Sequence, residues 1–250
     1  MDIITVRGIV LREIPVFEND KYIHVLTQEY GVIEILVKGG QKLGSKNAGG
    51  TQLFSYSRLS LRTGKGKYYL DSSEPIQLFY KLREDLERLS LACYFADVAC
   101  YAAGQHEQKE EMMRLFLNTL HFLSNGERSC ELLKCIFEMR FMTIIGMMPD
   151  IVCCPVCMTY ISESMCFDLR ISKLYCSSCY KAGFDGEQIV ISSSVVKALR
   201  HIVFADYDRL FNFRLSDKSI KLFGSLTERY LLIHLGREFK TLDFYNSLKK

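Results

Sequence analysis

The 250-residue chain has no long uninterrupted apolar run. Its most apolar stretch, Leu132 to Met148, is broken by Lys134, Glu138 and Arg140, so it cannot supply the roughly 20 mainly apolar residues that a membrane span needs. The opening residues, Met1 to Arg7, lack the basic and then apolar segments of a secretory signal. Without an export signal, the ten cysteines are expected in a reducing cytosol, where clustered cysteines bind metal or do chemistry more often than they form disulfides.

Catalytic motifs are also missing. No G-x-x-x-x-G-K-[ST] loop is present, which removes a Walker-type nucleotidase. Gly64-Lys65-Gly66 lacks the third glycine of a dinucleotide loop, and His106-Glu107 lacks the second histidine of H-E-x-x-H. There is no G-x-S-x-G, and the five histidines are scattered. His24 and His234 sit in apolar contexts that suit core or surface positions. Nothing here demands an active site, so a non-enzymatic protein is expected. A net charge of +3 says little about partners, and the 48% apolar and 24% charged fractions are those of an ordinary globular chain.

What the chain does contain is ordered in blocks. Val6–Leu11, Tyr22–Thr27, Val32–Val37, Phe54–Leu61 and Lys67–Leu70 read as five short strands with glycine-rich breaks, which implies a small barrel or sandwich. From Leu82 the period becomes helical. Leu89, Ala92, Cys93, Ala96, Ala99, Cys100 and Ala103 form one apolar stripe. Leu133, Ile136, Phe137, Phe141, Ile144, Ile145 and Met148 form another, with Glu131, Lys134 and Glu138 on the opposite face and Gly146 and Pro149 as the stop. Ser192–Phe204 and Ser219–Leu235 read as further helices, the last with Leu222, Leu226, Tyr230 and Ile233 on one face. The expected layout is a β domain at 1–80 and a helical domain at 81–149 and 184–250, with a cysteine module inserted at 150–183.

That module carries the sharpest motif. Cys154-x2-Cys157 and Cys176-x2-Cys179 stand 18 residues apart, in the range of zinc ribbons. Each pair can form a knuckle, and four thiolates satisfy a tetrahedral zinc ion. Such a site has no open position for water or substrate, so one structural zinc acting as a staple is expected, not a hydrolase. Cys153 would give a spacing of three, which favours Cys154. Cys93 and Cys100 suit a small-residue core position, and Cys130, Cys135 and Cys166 have no ligand-like pairing. With Arg170, Lys173 and Lys181 against Asp150, Glu163 and Asp168, the module is neutral and a poor main surface for nucleic acid.

Charge is concentrated elsewhere. Residues 35–70 hold Lys38, Lys42, Lys46, Arg58, Arg62, Lys65 and Lys67 and no acid, whereas the rest of residues 1–80 has three basic and eight acidic residues. One-sided clustering of this kind is the footprint of a phosphate-backbone binder. Lys38 to Gly50 reads as a flexible basic loop whose glycines let the backbone approach phosphate. An extended Phe54–Arg62 segment would put Phe54, Tyr56, Arg58, Ser60 and Arg62 on one face, although core burial competes for Phe54.

These residues together resemble the RecO family of bacterial DNA repair and recombination proteins. The resemblance is carried in order by Gly8-Ile9-Val10-Leu11, Glu18-Asn19-Asp20, Leu26-Thr27 with Gly31, Lys38-Gly39, Phe54 and Leu82-Arg83-Glu84-Asp85-Leu86. It continues through Leu133 to Gly146, Pro149-Asp150, Cys154-Pro155-Val156-Cys157 and Cys176-Ser177-Ser178-Cys179. It implies an N-terminal five-stranded OB-fold barrel, a helical domain and a zinc-finger-like insertion, an α+β multidomain chain. It further implies binding to single- and double-stranded DNA and annealing of complementary strands. The partner RecR and the loading of RecA on strands coated by SSB, whose C-terminal tail is a partner, are implied too, all in the RecF pathway of a bacterial, nucleoid-associated cytoplasmic protein. Met158 departs from the family pattern, in which a Gly-like residue often follows the second cysteine. The competing reading is a zinc-ribbon protein-interaction or transcription accessory factor, for which DNA would be incidental.

Overall fold

The computed structural model describes residues 2–64, 66–102, 109–180 and 187–249. Lys65, Lys181 and the His106-Glu107 pair lie outside them. The chain forms two compact units, Met1–Gly126 with Phe239–Lys250, and Glu127–Glu238.

The first unit begins with five strands: β1 (Ile3–Val16), β2 (Asp20–Thr27), β3 (Gly31–Val37), β4 (Ser55–Gly64) and β5 (Lys67–Leu78). They close into a barrel in the order β1-β2-β3-β5-β4. All neighbours are antiparallel except β3 and β5, which pair in parallel through Ile35 with Tyr68 and Leu36 with Tyr69. This is the five-stranded OB fold, and its closure leaves no sheet edge along the seam. The period-two pattern fills it: Ile33, Ile35 and Val37 point inward and join Val6, Val10, Ile23, Val25, Leu59, Leu61 and Leu70 in the core. Each such side chain contributes about 1.5–3 kcal/mol of burial. All five predicted strands are present, and β1, β4 and β5 run beyond the predicted ends.

Gly8 shows why the barrel tolerates no side chain at that point. A Cβ there would lie 2.4 Å from Val25 Cγ1 and 2.9 Å from the Leu26 carbonyl oxygen. Gly31, at φ +71°, makes the β2–β3 turn.

The same unit holds α1 (Leu86–Ala102), α2 (Lys109–Asn125) and the terminal α7 (Lys240–Ser247). Asp97 on α1 ties α1 to the barrel and to α7, accepting from Arg12 Nη2 at 2.8 Å and from Thr241 Oγ1 at 3.0 Å. The helix α2 and the short α7 were not read from the sequence.

The second unit contains α3 (Cys130–Ile144), the strands β6 (Ser164–Asp168), β7 (Lys173–Cys176) and β8 (Gln188–Ser192), then α4 (Ser193–Phe204), α5 (Tyr207–Leu210) and α6 (Asp217–Leu235). Ser129 caps α3 by accepting from Leu132 N–H, and the helix stops before Gly146, whose φ is +88°. The sheet order is β7-β6-β8, all antiparallel.

Lys134 and Glu138, on the face of α3 opposite its apolar stripe, are buried as well, at 4% and 0% exposed. Lys134 Nζ lies 2.8 Å from Glu138 Oε1 and 2.8 Å from Glu228 Oε2 on α6, and Thr227 Oγ1 donates to Glu138 at 2.7 Å. The reason is that both α4 and α6 pack on α3, so its polar stripe is covered as well as its apolar one. Burial works to lower the Lys134 pKa, but the two carboxylates outweigh it and the net shift is upward. Replacing Lys134 by Met leaves Glu138 buried without its cation. This should cost about 3–5 kcal/mol of stability, read as a lower urea midpoint. A cost below 1 kcal/mol would show the pair to be incidental.

Candidate metal centre and nucleic-acid interface

The two cysteine pairs converge. The Sγ atoms of Cys154, Cys157, Cys176 and Cys179 all lie within 4.8 Å of one another. A tetrahedral ion with Zn–S bonds of about 2.3 Å would hold its sulfurs roughly 3.8 Å apart, so the cluster is close to that geometry. Cys157 and Cys176 are 3.5 Å apart, well beyond the roughly 2.05 Å of a disulfide.

Local backbone structure sets the thiols in place. In the first knuckle Met158 N–H donates to the Cys154 carbonyl and Cys154 N–H donates to the Thr159 carbonyl, each at 2.9 Å. In the second, Cys176 ends β7, and its carbonyl accepts from Cys179 N–H at 3.2 Å and Tyr180 N–H at 3.0 Å. Hydrogen bonds from the Thr159 hydroxyl and backbone, then from Cys179 and Cys176, hold the Cys157 thiol down to about 6. Burial opposes ionisation of Cys154, but backbone hydrogen bonds from Cys176, Cys157 and Val156 lower it on balance. Cys179 is pushed up to about 12 by the thiols of Cys157 and Cys176. Thiols this close cannot all ionise without a cation, which is the chemistry of a metal-binding donor set.

The other cysteines stand apart. Cys153 turns its sulfur to Met158 Sδ at 3.8 Å and is not among the four. Burial, as the main cause, raises Cys100 to about 11, Cys135 to about 12 and Cys166 to about 11, so these thiols stay protonated. Cys93 and Cys100 are only half-buried.

The basic residues are distributed over the barrel. Lys38 leaves the end of β3, and Lys42 and Lys46 are exposed on the turns that follow. Among the described residues none of these three forms an ion pair. Hydrogen bonds tie their loop to the barrel. Gln41 N–H donates to the Asn19 carbonyl at 2.9 Å, Gly39 N–H to Asp20 Oδ1 at 2.7 Å, and Asn47 Oδ1 accepts from Ser73 N–H at 3.0 Å. Buried Lys21 supports it from beneath, donating to Glu13 at 2.6 Å and to the Thr51 carbonyl at 2.9 Å.

Arg58 and Arg62 do project from β4 on one outward face with Tyr56 and Ser60. Each is paired, Arg58 with Glu74 at 3.1 Å and Arg62 with Asp71 at 3.2 Å. The acids lie just past the acid-free window, and the β4–β5 hairpin folds them back onto it. These exposed pairs are worth at most about 1 kcal/mol, so the guanidiniums remain reachable but the face is less positive than its sequence. Phe54 is absent from this face: it precedes β4 at φ +61° and is 3% exposed. Lys67 opens β5 and is exposed; Lys65 lies outside the described residues.

Barrel register assembles a second group that sequence reading missed. Tyr22 on β2 is opposite Leu36 on β3, Leu36 is opposite Tyr69 on β5, and Tyr69 is opposite Arg62 on β4. All four project from the outer surface in one row across the strands. Beside them lies a groove of about 290 Å³ lined by Tyr22, Val32, Glu34, Leu36, Lys67, Tyr68 and Tyr69, among others. Only the alternation of Tyr22 and Leu36 with buried neighbours hinted at this from the sequence; the row needs the β3–β5 pairing.

Residues 1–79 match the family model described as Recombination protein O N terminal, and residues 83–243 match Recombination protein O C terminal. The chain belongs to the RecO family. This is a family of DNA repair and recombination proteins. The DNA repair protein RecO of Acetivibrio thermocellus is 31% identical over 250 residues, covering all of this chain and 99% of that one. That of Alkaliphilus metalliredigens is 28% identical over 242 residues, covering 96% and 98%. That of Halalkalibacterium halodurans is 26% identical, covering 97% and 94%. The closed barrel is thus the OB fold of a RecO N-terminal part, and the resemblance seen in the motifs holds over the whole chain. No helix among the described residues is long and apolar enough to cross a membrane.

Within this RecO-family knuckle, Met158 has φ +60°, the left-handed region that glycine enters freely. Met158→Gly relieves that strain while making the unfolded chain more flexible. The net expectation is a gain of up to about 1 kcal/mol, seen as a higher denaturant midpoint. A loss of stability would mean that the exposed Met158 side chain makes a contact outweighing the strain.

Proposed function

We propose that this protein is a non-enzymatic DNA-binding recombination mediator whose barrel carries the main DNA surface and whose four cysteines hold one structural zinc ion. The observation that carries the reading is exposed Lys38, Lys42 and Lys46, without an ion pair among the described residues, on a hydrogen-bonded loop of an OB barrel, supported by family membership. Arg58, Arg62 and Lys67 are further contact candidates on the barrel, and Lys65, outside the described residues, is kept as a candidate from its place in the sequence alone. Residues 1–80 serve as the DNA-binding domain, and residues 81–149 and 184–250 as a helical domain bearing the 150–183 zinc module. The protein binds single- and double-stranded DNA and brings complementary strands together by screening phosphate repulsion, which needs no covalent step. With RecR it helps RecA onto strands coated by SSB, whose acidic tail it contacts, in the bacterial cytoplasm at the nucleoid. A contribution from protein docking at the knuckle is favoured by the exposed Val156 and Met158.

Zinc, when bound, supplies a redox-inert cation that neutralises four thiolates and ties the two knuckles together. The purified protein should contain one zinc per chain. Cys176→Ser should remove it and lower the unfolding midpoint; undiminished zinc in that variant would dismiss the site. Binding to a single-stranded oligonucleotide should weaken steeply with salt, by about 0.7 log units per tenfold salt for each neutralised phosphate. Replacing Lys38, Lys42 and Lys46 together by Ala should reduce the slope by about 2. An unchanged slope would take the loop out of the interface, and failure to anneal complementary strands would favour the protein-interaction reading.

A further inference from the structure

Tyr22 and Tyr69 lie on β2 and β5, one strand to either side of Leu36 on β3. Neighbouring strands are about 4.8 Å apart, so the two tyrosine backbones are separated by roughly 9.6 Å, with Leu36 as the floor between them. A flat base needs about 3.4 Å to each stacking partner, so that gap admits a base. The barrel surface is convex, which splays outward side chains and opens the space further. The groove volume of about 290 Å³ is at the small end for a small-molecule site and has room for a base.

The charges at its rim are mixed. Glu34 of β3 lies 3.3 Å from His24 Nε2, and the parallel register that sets Leu36 beside Tyr69 sets exposed Lys67 of β5 next to Glu34. Gly66 precedes Lys67 at the same end of the groove. A Cβ on Gly66 would meet nothing within 4 Å, so a backbone can approach it. Lys67 has no ion pair among the described residues. Lys38 emerges two residues beyond Leu36 along the same strand.

Resting on the reading of the protein as a DNA binder, we infer that this groove stacks an unpaired base between Tyr22 and Tyr69. The barrel thereby distinguishes single strands from duplexes by base faces, whereas the lysine loop contributes phosphate attraction to both. No covalent step is involved.

The test is fluorescence anisotropy with three labelled probes of equal length: an oligothymidylate, an abasic strand with the same phosphates, and a duplex. Tyr22→Ala with Tyr69→Ala should weaken oligothymidylate binding about tenfold or more. The same variant should leave the abasic strand and the duplex within about twofold of the unaltered protein, since neither offers a base face. Tyr22→Phe with Tyr69→Phe keeps the rings and should bind as the unaltered protein does, which separates loss of stacking from loss of fold. The lysine-to-alanine triple variant should weaken all three probes. Oligothymidylate affinity unchanged in the alanine pair, or an equal loss on the abasic strand, would overturn the stacking site. Failure of the unaltered protein to bind any of the three would instead overturn the DNA-binding reading on which it rests.

Discussion

The parallel pairing of β3 with β5 is the constraint on which the rest of the N-terminal surface depends. It is short, with Ile35 against Tyr68 and Leu36 against Tyr69, yet it closes the barrel. Closure separates the two faces of the alternating strands: inward positions fill one core, and outward positions are set beside those of the neighbouring strands. Tyr69 is thereby placed beside Leu36 and Tyr22, and Lys67 at the rim of the groove between them. The antiparallel β4–β5 hairpin then sets Asp71 and Glu74 against Arg62 and Arg58. A one-residue slip would turn each of these side chains to the opposite face.

The two chemical features of the molecule follow different logics. The cysteine cluster is local. Two tight turns and a three-stranded sheet deliver four sulfurs to one point, and the donor set favours a soft divalent ion with no vacancy for substrate. The barrel surface is assembled from segments far apart in the chain and, as proposed, works through many weak contacts. On that reading Lys38, Lys42 and Lys46 act through charge alone. Their loop is held by Gln41, Asn47 and Lys21, which reduces the ordering cost of gripping a polyanion.

This difference explains what could be read beforehand. Cys154, Cys157, Cys176 and Cys179 were legible because a knuckle is specified by spacing of a few residues. The five strands were legible because alternation reports burial directly, and α1, α3, α4 and α6 because their apolar stripes are long. The stripe of α2 was present in Met112, Met113, Leu115, Phe116, Leu120 and Leu123 but was passed over. The eight-residue α7 and the strands β6 to β8 are too short for periodicity to register. The ion pairs of Arg58 and Arg62, the burial of Lys134 with Glu138 and Glu228, and the tyrosine row depend on which element comes to lie beside which. A charge window drawn along the chain could not see acids that fold onto it from just outside.

The central claim is that DNA is held by the outer face of the barrel and its basic loop, and not by the zinc module. Photocrosslinking of the full-length protein to a bromodeoxyuridine-substituted single strand, with the attachment sites mapped by mass spectrometry, tests it most directly. Attachment within residues 20–70, at Tyr22, Tyr69 or the loop beginning at Lys38, is the predicted result. Attachment confined to residues 150–183 would contradict it.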